Sequence, residues 1–388
     1  MELILKQYDI PLLRFSATND SSTPEIEVHW INEDQRHLLP LDMELSPEGI
    51  SRWMRRRTIP RNRAYVNRLL AKCGLNANRP MGILALCKGL SVDDSYWVVE
   101  EGFEGTFEKY NLFENCFSEV LALIAFTGYG SSNRSSLASS PEFTTNGMLP
   151  KCWRRISGKV MLYKGGTDGG YNTGAEPYCE YYAAQVAAVM GIDAIPYGLS
   201  QWKGRLCSTC ELFTDIDHAY MPIGNLVQRG GFDAVAAYYE NLGEPFQKAF
   251  RDMLVFDAVI CNTDRHYGNF GFMIDNKTNT IAAPAPLFDH GNSLFNQAGP
   301  EDYESPEAFQ QYIDTLVPCV YDDFFATAKR FMTDENREQL RKLLGFRFKR
   351  HVRYNLPPKR LKLMEEQVRK RAMRLLKREL ENANISHI

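Results

Sequence analysis

The residues with the clearest chemistry lie between 262 and 292, where N-T-D-R-H-Y-G-N is followed twenty residues later by D-H-G-N. Asp264 precedes Asn269 by five positions, and Asp289 follows an apolar stretch that an N-K-T-N turn at 276–279 divides into two predicted strands. Carboxylate and amide oxygens are the ligands that Mg²⁺ prefers. We therefore expect a hairpin that brings Asp264, Asn269 and Asp289 into a metal–phosphate site.

The residues around Asp264 indicate how such a site would work. An ionised aspartate can accept the proton of an attacking hydroxyl group within hydrogen-bonding reach, and we assign this role to Asp264. His266 would be a poor magnesium ligand, so we expect it to donate hydrogen bonds that hold the loop. Arg265 pairs either with a phosphate or with a loop carboxylate, and the sequence does not choose between them.

Apolar periodicity and turn residues predict the elements that must position this site. They are a hairpin over 147–164, a helix over 180–190 stopped by Gly191, a hairpin over 195–214, and helices over roughly 304–332, 334–344 and 357–383. The pattern predicts an α+β protein, with a small strand-rich part followed by a mainly helical part.

The first hundred residues contain short predicted strands and then two arginine-rich helices. The first helix starts at Ser46-Pro47 and ends at Pro60, and the second spans 61–73 before Gly74. This pair (46–73) either reads DNA as a helix-turn-helix or packs on a neighbouring domain with a solvated basic face, and we favour packing. The seven arginines are Arg52, Arg55, Arg56, Arg57, Arg61, Arg63 and Arg68, and the packing residues are Trp53, Ile59, Val66 and Leu69.

A predicted helix over 107–128 leads into a serine-rich stretch, 129–146, with few apolar residues. Such a composition does not offset the entropy of ordering, so we expect a mobile loop. Mobile hydroxyl groups are accessible to phosphorylation.

Composition limits the class of protein. The 388 residues are 44% hydrophobic and 24% charged, with a net charge of −3, as in globular proteins. The sequence has no window with the roughly 20 apolar residues of a membrane helix, and its nine cysteines are scattered. We expect reduced thiols in a cytoplasmic protein that does not bind membranes. Residues 341–378 carry fifteen Lys and Arg against two Glu, and we favour a packed helix there over nucleic-acid contact.

Six sequence blocks, in order, resemble the HipA-like serine/threonine kinases of bacteria. They are GMLPK, VMLYKGG, EYYAAQVAAVMGI, CELFT, NTDRHYGNFG and PLFDHGNSLF, and the resemblance covers roughly 110–380. It implies a two-lobed, protein-kinase-like fold that uses ATP and Mg²⁺, with an accessory domain at 1–105, an N-lobe at 106–215 and a helical C-lobe at 216–388.

The resemblance also implies roles for residues outside the 262–292 region. Lys164 would meet the ATP phosphates, and Glu180 would orient it, with Glu176 as a rival. Only one glycine remains of the usual glycine-rich loop, so the phosphate contact is less well defined by sequence than the metal site. The implied cofactor contacts are Gly147, Lys151, Lys164, Glu180, His266 and the hinge residues Glu211, Leu212 and Phe213, and the implied metal ligands are Asn269 and Asp289.

Regulation and partners are further expectations from the resemblance. Autophosphorylation is expected before the phosphate loop, at Ser135, Ser136, Ser139, Ser140, Thr144 or Thr145. The family implies a protein substrate, often in translation, and a small helix-turn-helix antitoxin as partner. The alternatives are a phosphoinositide or small-molecule kinase, and a weakly active regulator that binds DNA through 46–73.

Overall fold

A computed structural model describes residues 1–18, 24–130, 140–170 and 173–377. Their contacts form two compact units. The N-terminal unit comprises Met1–Lys164, Glu211–Met221 and Phe272–Ala282, and the C-terminal unit comprises Gly165–Cys210, Pro222–Gly271 and the residues from Ala283 on. The predicted domain boundaries at 105 and 215 stay predictions.

Eleven strands are present in the described part of the chain. They are β1 (Glu2–Gln7), β2 (Ile10–Ala17), β3 (Ile26–Ile31), β4 (Tyr96–Glu100), β5 (Lys151–Ile156), β6 (Lys159–Gly165), β7 (Gly198–Trp202), β8 (Arg205–Glu211), β9 (His218–Pro222), β10 (Gly271–Asp275) and β11 (Thr280–Pro284). Short 3-10 turns cover Glu33–Leu38, Pro141–Phe143 and Glu301–Tyr303.

Thirteen helices complete the described elements. They are α1 (Pro47–Arg56), α2 (Val66–Lys72), α3 (Pro80–Cys87), α4 (Phe107–Tyr110), α5 (Glu119–Thr127), α6 (Glu176–Met190), α7 (Ile223–Leu226), α8 (Gly231–Leu242), α9 (Phe246–Ile260), α10 (Pro306–Ile313), α11 (Phe324–Phe331), α12 (Asp334–Arg341) and α13 (Pro358–Leu376). Within the described ranges, no helix is both long enough and apolar enough to cross a membrane.

The N-terminal unit is built around an antiparallel sheet with strand order β3-β2-β1-β4. Alternate residues of β1 are buried, including Leu3 and Leu5, because successive side chains of a strand point to opposite faces. Ile50 and Trp53 of α1 belong to the same apolar core. A hairpin, β5–β6, and a small sheet with order β11-β10-β9 belong to this unit as well.

The arginine-rich helices pack by their apolar side, as favoured, but Arg57 and Arg63 are buried rather than solvated. Trp53 and Ile59 are buried. Arg57 donates to both carboxylate oxygens of Asp94 at 2.7 Å and to the carbonyl of Tyr96. Arg56 pairs with Asp42 at 2.8 Å. A surface that reads DNA would present these guanidinium groups to the nucleic acid, whereas here they are paired with carboxylates of the protein.

Three predicted helices are shorter than expected. The helix predicted at 61–73 begins only at Val66. The one predicted at 107–128 consists of α4 and α5, because the Asn111 side chain accepts from the N–H groups of Phe113 and Glu114 and so replaces the helical acceptor. The one predicted at 304–332 is divided into α10 and α11, and the side chain of Asp323 caps the second. The predicted extension of α13 to 383 lies outside the described residues.

Other predictions are confirmed at helix ends. Ser46 caps α1 through a bond from the Gly49 N–H at 3.1 Å, while Gly128 and Gly191 end α5 and α6 in the left-handed conformation. Sequence analysis assigned no element to α3, β4 or β9. All nine cysteines are free thiols.

The described end of the serine-rich stretch is anchored by a buried ion pair between Arg63 and Glu142. The other Glu142 oxygen accepts the N–H of Trp153 at 2.8 Å, and Arg63 also donates to the carbonyl of Lys151 at 2.9 Å. Burial raises the pKa of Glu142 above its ordinary range, against the opposing effect of the Arg63 charge. Residues 140–145 are therefore packed in the N-terminal unit, and the mobility expected for 129–146 is wrong for this part, whereas 131–139 lie outside the described residues.

Removing Arg63 would leave the Glu142 carboxylate buried without its partner. We expect Arg63→Met to lower the free energy of unfolding by about 3 kcal/mol, since an uncompensated buried charge costs that much. Urea denaturation followed by tryptophan fluorescence measures it. The Arg63→Met/Glu142→Leu double variant should recover most of the loss. The control Arg36→Met, which breaks an exposed pair with Glu33, should change stability by less than about 1 kcal/mol. A stability equal to wild type in Arg63→Met would show that buried Glu142 does not depend on the Arg63 charge.

Candidate functional site

Three predicted phosphate-contacting residues lie together at one end of the β5–β6 hairpin; we call Gly147, Lys151 and Lys164 the basic cluster. Lys151 and Lys164 are directly opposite each other in the antiparallel register, so their side chains leave the same face. Both lysines are buried. Gly147 has φ +91°, and a Cβ there would clash with the Lys151 ammonium group, which donates to the carbonyl of Asn146 at 2.9 Å.

In the C-terminal unit, the loop after α9 shapes the predicted catalytic residues. The Asn262 side chain accepts from the N–H of Asp264 at 3.1 Å, a local turn typical of asparagine. The Asn269 side-chain nitrogen donates to the backbone carbonyl of Asp264 at 3.2 Å, which closes the loop across the five-residue spacing. The spacing that the sequence singled out is thus the span of one hydrogen-bonded loop.

Arg265 fixes this loop from inside the protein. Its guanidinium group pairs with both oxygens of Asp257 on α9, at 2.9 and 3.1 Å. It also donates to the carbonyls of Asn269 at 3.1 Å and Phe288 at 2.6 Å. Burial opposes the charge of Arg265, and the Asp257 carboxylate outweighs that effect, so the pKa of Arg265 lies above its ordinary value. The partner of Arg265 is therefore a buried helix carboxylate, and neither the phosphate nor the loop carboxylate expected from the sequence.

The D-H-G segment is held by α6 and by Tyr197. The N–H of His290 donates to the buried carboxylate of Glu180 at 2.7 Å, and the N–H of Asp289 donates to the Tyr197 hydroxyl at 3.1 Å. Asp289 has φ +55°, a left-handed conformation that aspartate tolerates better than most side chains. Burial, with the charge of Glu180, raises the pKa of Tyr197 well above its ordinary value. Tyr197 is accordingly a neutral hydroxyl that supports the Asp289 backbone.

Asn292 connects the two segments. Its side-chain nitrogen donates to Oδ2 of Asp264 at 2.9 Å, and its backbone carbonyl accepts the N–H of Thr263 at 3.0 Å. Together with the bond from Arg265 to Phe288, these contacts bring the catalytic loop and the D-H-G segment to one place. We call Asp264, Asn269 and Asp289, held in this way, the acidic cluster.

The chemistry of the acidic cluster fits Mg²⁺. The Asn269 nitrogen is used as a donor to Asp264, which leaves Oδ1 as the ligand atom. One amide oxygen and one carboxylate, completed by phosphate oxygens and water, are a common magnesium environment. Within the described ranges, His, Cys, Asp and Glu form no group of three or more with metal-binding geometry, so a dedicated all-protein cage is absent there.

The carboxylates that compete to orient Lys164 occupy different environments. Glu176 accepts from the N–H of Thr167 at 3.3 Å and from its hydroxyl group. Glu180 lies one turn further along α6, against the N–H of His290, and is not at the start of the helix as predicted. Lys164 and the two glutamates belong to different units.

His266 and the predicted hinge residues, the remaining predicted cofactor contacts, make the following contacts in the structure. His266 is exposed, and its Nδ1 accepts the N–H of Gly268 at 3.0 Å, so it holds the loop as an acceptor rather than as the expected donor. In the hinge segment, the Leu212 N–H donates to the carbonyl of Val160 at 2.9 Å. Glu211 pairs with Lys159, and Phe213 packs edge-on against Tyr220.

The described phosphorylation candidates are engaged in hydrogen bonds. Ser140 caps the Pro141–Phe143 turn through the Glu142 N–H, and Thr144 donates to the carbonyl of Leu90 at 2.9 Å. Thr145 donates to the carbonyl of Pro141 at 2.7 Å and accepts from the indole of Trp153 at 3.0 Å. Ser135, Ser136 and Ser139 lie outside the described residues.

Sequence analysis assigned no role to Asp257, Asn292 or Tyr197. Asp257 has a usable signal, since it is a lone carboxylate in the apolar run from Met253 to Ile260, and buried carboxylates need partners. Asn292 follows the D-H-G segment directly and carries no such signal. Tyr197 is distant in sequence, so only the fold reveals its bond to Asp289.

Replacing Arg265 by lysine tests whether the hydrogen bonds of its guanidinium group hold the two segments. Lysine cannot make the paired bonds to Asp257 together with the two carbonyl bonds, because its ammonium group is a single point charge. We expect Arg265→Lys to lower the free energy of unfolding by about 3 kcal/mol and to speed amide exchange in 262–270 and 286–293. Arg330→Lys, at an exposed pair with Asp233, is the control. Unchanged exchange in both segments would show that the loops do not depend on Arg265.

Known proteins are similar to this chain in part of the sequence and in the fold. No protein-family model matches the chain. The serine/threonine-protein kinase CtkA of Helicobacter pylori (strain J99 / ATCC 700824) is 27% identical over 135 residues, which are 31% of this chain and 41% of CtkA. The match thus spans less than half the length of that relative.

Solved structures give a second comparison. The crystal structure of the Helicobacter pylori proinflammatory kinase CtkA aligns with 63% of this chain and 94% of its own, at 15% identity and a TM-score of 0.49. A chain of the Shewanella oneidensis MR-1 complex of HipA, HipB and operator DNA aligns with 96% of this chain and 97% of its own, at 14% identity and a TM-score of 0.51.

The HipA comparison extends over almost the whole chain and shows the fold, so the predicted α+β, kinase-like architecture is confirmed. The CtkA match adds a similarity in sequence to a serine/threonine kinase. The chain therefore shares the fold of the chain from the HipA complex and is similar in sequence to the serine/threonine kinase CtkA over 135 residues.

Proposed function

We propose that this protein is an ATP- and Mg²⁺-dependent serine/threonine protein kinase. The observation that carries the proposal is the acidic cluster, in which Asn292 holds Asp264 while Arg265 joins the catalytic loop to the carbonyl before Asp289. Phosphoryl transfer depends mainly on positioning and on charge neutralisation. The acidic cluster, held by these hydrogen bonds, supplies the positioning.

In this mechanism Asp264 is the base. Asn292 occupies Oδ2 of Asp264, so Oδ1 is the oxygen that accepts the proton of the substrate hydroxyl group. Asn269 and Asp289 would hold the metal, and bound Mg²⁺ would neutralise charge on the transferring phosphoryl group. The two lysines of the basic cluster would bind phosphate oxygens as point charges.

An exposed apolar segment supports a polypeptide substrate rather than a small molecule. Residues 314–323, between α10 and α11, include Val317, whose exposed fraction is 63%. Burial, and next the Asp264 carboxylate, raises the pKa of Cys319 in this segment to about 11. An extended chain that presents a hydroxyl group to Asp264 would have apolar surface to contact beside it.

The further properties of the family are proposals for this chain. HipA occurs in a complex with HipB and operator DNA, which supports a toxin-type kinase with an antitoxin partner here as well. A translation component as substrate, autophosphorylation within 129–146 and a cytoplasmic location complete the proposal. Direct DNA reading by 46–73 is disfavoured, because Arg56, Arg57 and Arg63 pair internally.

The proposal predicts phosphotransfer that requires Asp264. Incubation with Mg²⁺ and γ-labelled ATP should add phosphate to the purified protein or to a generic protein substrate, and Asp264→Asn should reduce the rate by at least about 100-fold, as loss of a positioned base does. Intact mass and peptide mapping give the number and location of phosphates. Asp233→Asn, an exposed aspartate, is the matched control. Equal labelling of Asp264→Asn and wild type would overturn the assignment of the base.

Substrate choice is tested at Val317. We expect Val317→Asp to raise KM for a polypeptide substrate by about tenfold, because a charge replaces apolar contact area, while KM for ATP changes by less than about twofold. Val352→Asp, at a residue 92% exposed in the same unit, is the control. The role of 314–323 in binding polypeptide would be excluded if both variants kept the wild-type KM.

A further inference from the structure

The β10–β11 hairpin joins the two halves of the acidic cluster along the chain. Asn269 lies just before β10, and Asp289 follows β11 by five residues. The N–H of Ala285 donates to the carbonyl of Gly271 at 3.0 Å and closes the base of the hairpin. Asn269 and Asp289 belong to the C-terminal unit, whereas Phe272–Ala282 belong to the N-terminal unit.

The tip of this hairpin is bound by the N-terminal unit through Asn279. Its side-chain nitrogen donates to the carbonyls of His37 at 2.9 Å and Leu39 at 2.7 Å. Its side-chain oxygen lies 3.2 Å from the hydroxyl group of Tyr96, whose single proton is also directed to the carbonyl of Leu38 at 2.8 Å. Asn279 is only 6% exposed, and its bond to the carbonyl of Leu39 is fully buried, so this bond would be costly to lose.

Asn276 provides a second anchor at the same tip. Its backbone N–H donates to the carbonyl of Asp217 at 2.8 Å, and its side chain donates to the carbonyl of Ile216 at 3.0 Å. Its own carbonyl accepts the side-chain amide of Gln7 on β1 at 2.6 Å. The anchor residues therefore come from the strands at the beginning of the chain as well as from the segment before β9.

The turn alone does not require these contacts. Asn279 has φ +52°, which explains a preference for Asn or Gly at this position, but glycine would satisfy the turn without any side-chain bond. Hairpin tips are commonly exposed and tolerant of change. Lys277 in the same turn behaves in that way, with an exposed ion pair to Asp217. The buried hydrogen bonds of the Asn279 side chain are therefore not needed to form the turn.

We propose that the N-terminal unit sets the geometry of the acidic cluster through this hairpin, with Asn279 as the positioning residue. The two ends of the hairpin carry Asn269 and Asp289, so a hairpin held at its tip has one register and one separation between its ends. In a hairpin freed at its tip the turn still fixes the register of the strands, but the hairpin can twist and change the separation between its ends. The consequence for catalysis rests on the proposed kinase function.

Three full-length variants separate the tip contacts from the turn. Asn279→Gly keeps the left-handed turn and removes the amide, Asn279→Asp keeps the size and replaces the donor by a charge, and Lys277→Ala alters the exposed side of the same turn. Steady-state phosphotransfer gives kcat and KM for ATP. Amide hydrogen exchange in 262–271 and 283–292 reports the acidic cluster without requiring activity, and exchange in α13 reports the rest of the C-terminal unit.

We expect both Asn279 variants to lower kcat by about tenfold or more, since small misplacements of catalytic groups have effects of this size. KM for ATP should stay within about twofold, and exchange should rise in 262–271 and 283–292 but not in α13. Lys277→Ala should match wild type in every measurement.

Two outcomes would overturn the inference: a wild-type kcat in Asn279→Gly, or faster exchange confined to the tip at 275–280. A uniform rise in exchange that includes α13 would indicate general destabilisation and count against positioning. An inactive wild-type protein would refute the proposed kinase function instead. In that case the exchange in 262–271 and 283–292 would still decide whether the tip controls the acidic cluster.

Discussion

The acidic cluster depends on the ion pair between Arg265 and Asp257 in the interior of the C-terminal unit. A buried guanidinium group must have partners for its donors, and here they are one carboxylate, two backbone carbonyls and Nδ1 of His290. The carbonyls belong to the catalytic loop and to the residue before Asp289. The cost of leaving any donor unpaired therefore restricts both segments at once, and the position of the proposed catalytic groups follows from the satisfaction of a buried charge.

The same principle recurs in the N-terminal unit, where buried polar groups hold segments that apolar packing alone would leave free to shift. Glu142 and Arg63 anchor the chain before the basic cluster, and the side chain of Asn279 anchors a hairpin tip. Apolar contact is non-directional, whereas a buried hydrogen bond has a narrow range of distances and angles. A reaction that depends on positioning is well served by the second kind of contact, even where its net contribution to stability is small.

Sequence reasoning succeeded where the determining contacts are local. Ser46, Gly128 and Gly191 mark helix ends through bonds within four residues, and the spacing from Asp264 to Asn269 is closed by a single bond across one loop. It failed where a side chain distant in sequence determines whether a residue is buried. The partner of Arg57 lies 37 residues away, so its burial could not be recognised from the neighbouring residues. The division of the helix expected at 107–128 depended on how the side chain of Asn111 is used, which periodicity does not record.

One class of long-range contact does leave a signal in the sequence. Asp257 stands alone among apolar residues, and Glu142 follows Pro141 and precedes Phe143, both of which are buried. A carboxylate in such a setting must become buried with the residues around it, and a buried carboxylate requires a cationic or multiple-donor partner. Arginine is the side chain best able to meet that need, since it is always charged and has five donors. Isolated acidic residues in apolar runs, considered together with arginines that lack a local partner, therefore predict buried ion pairs before a structure is known.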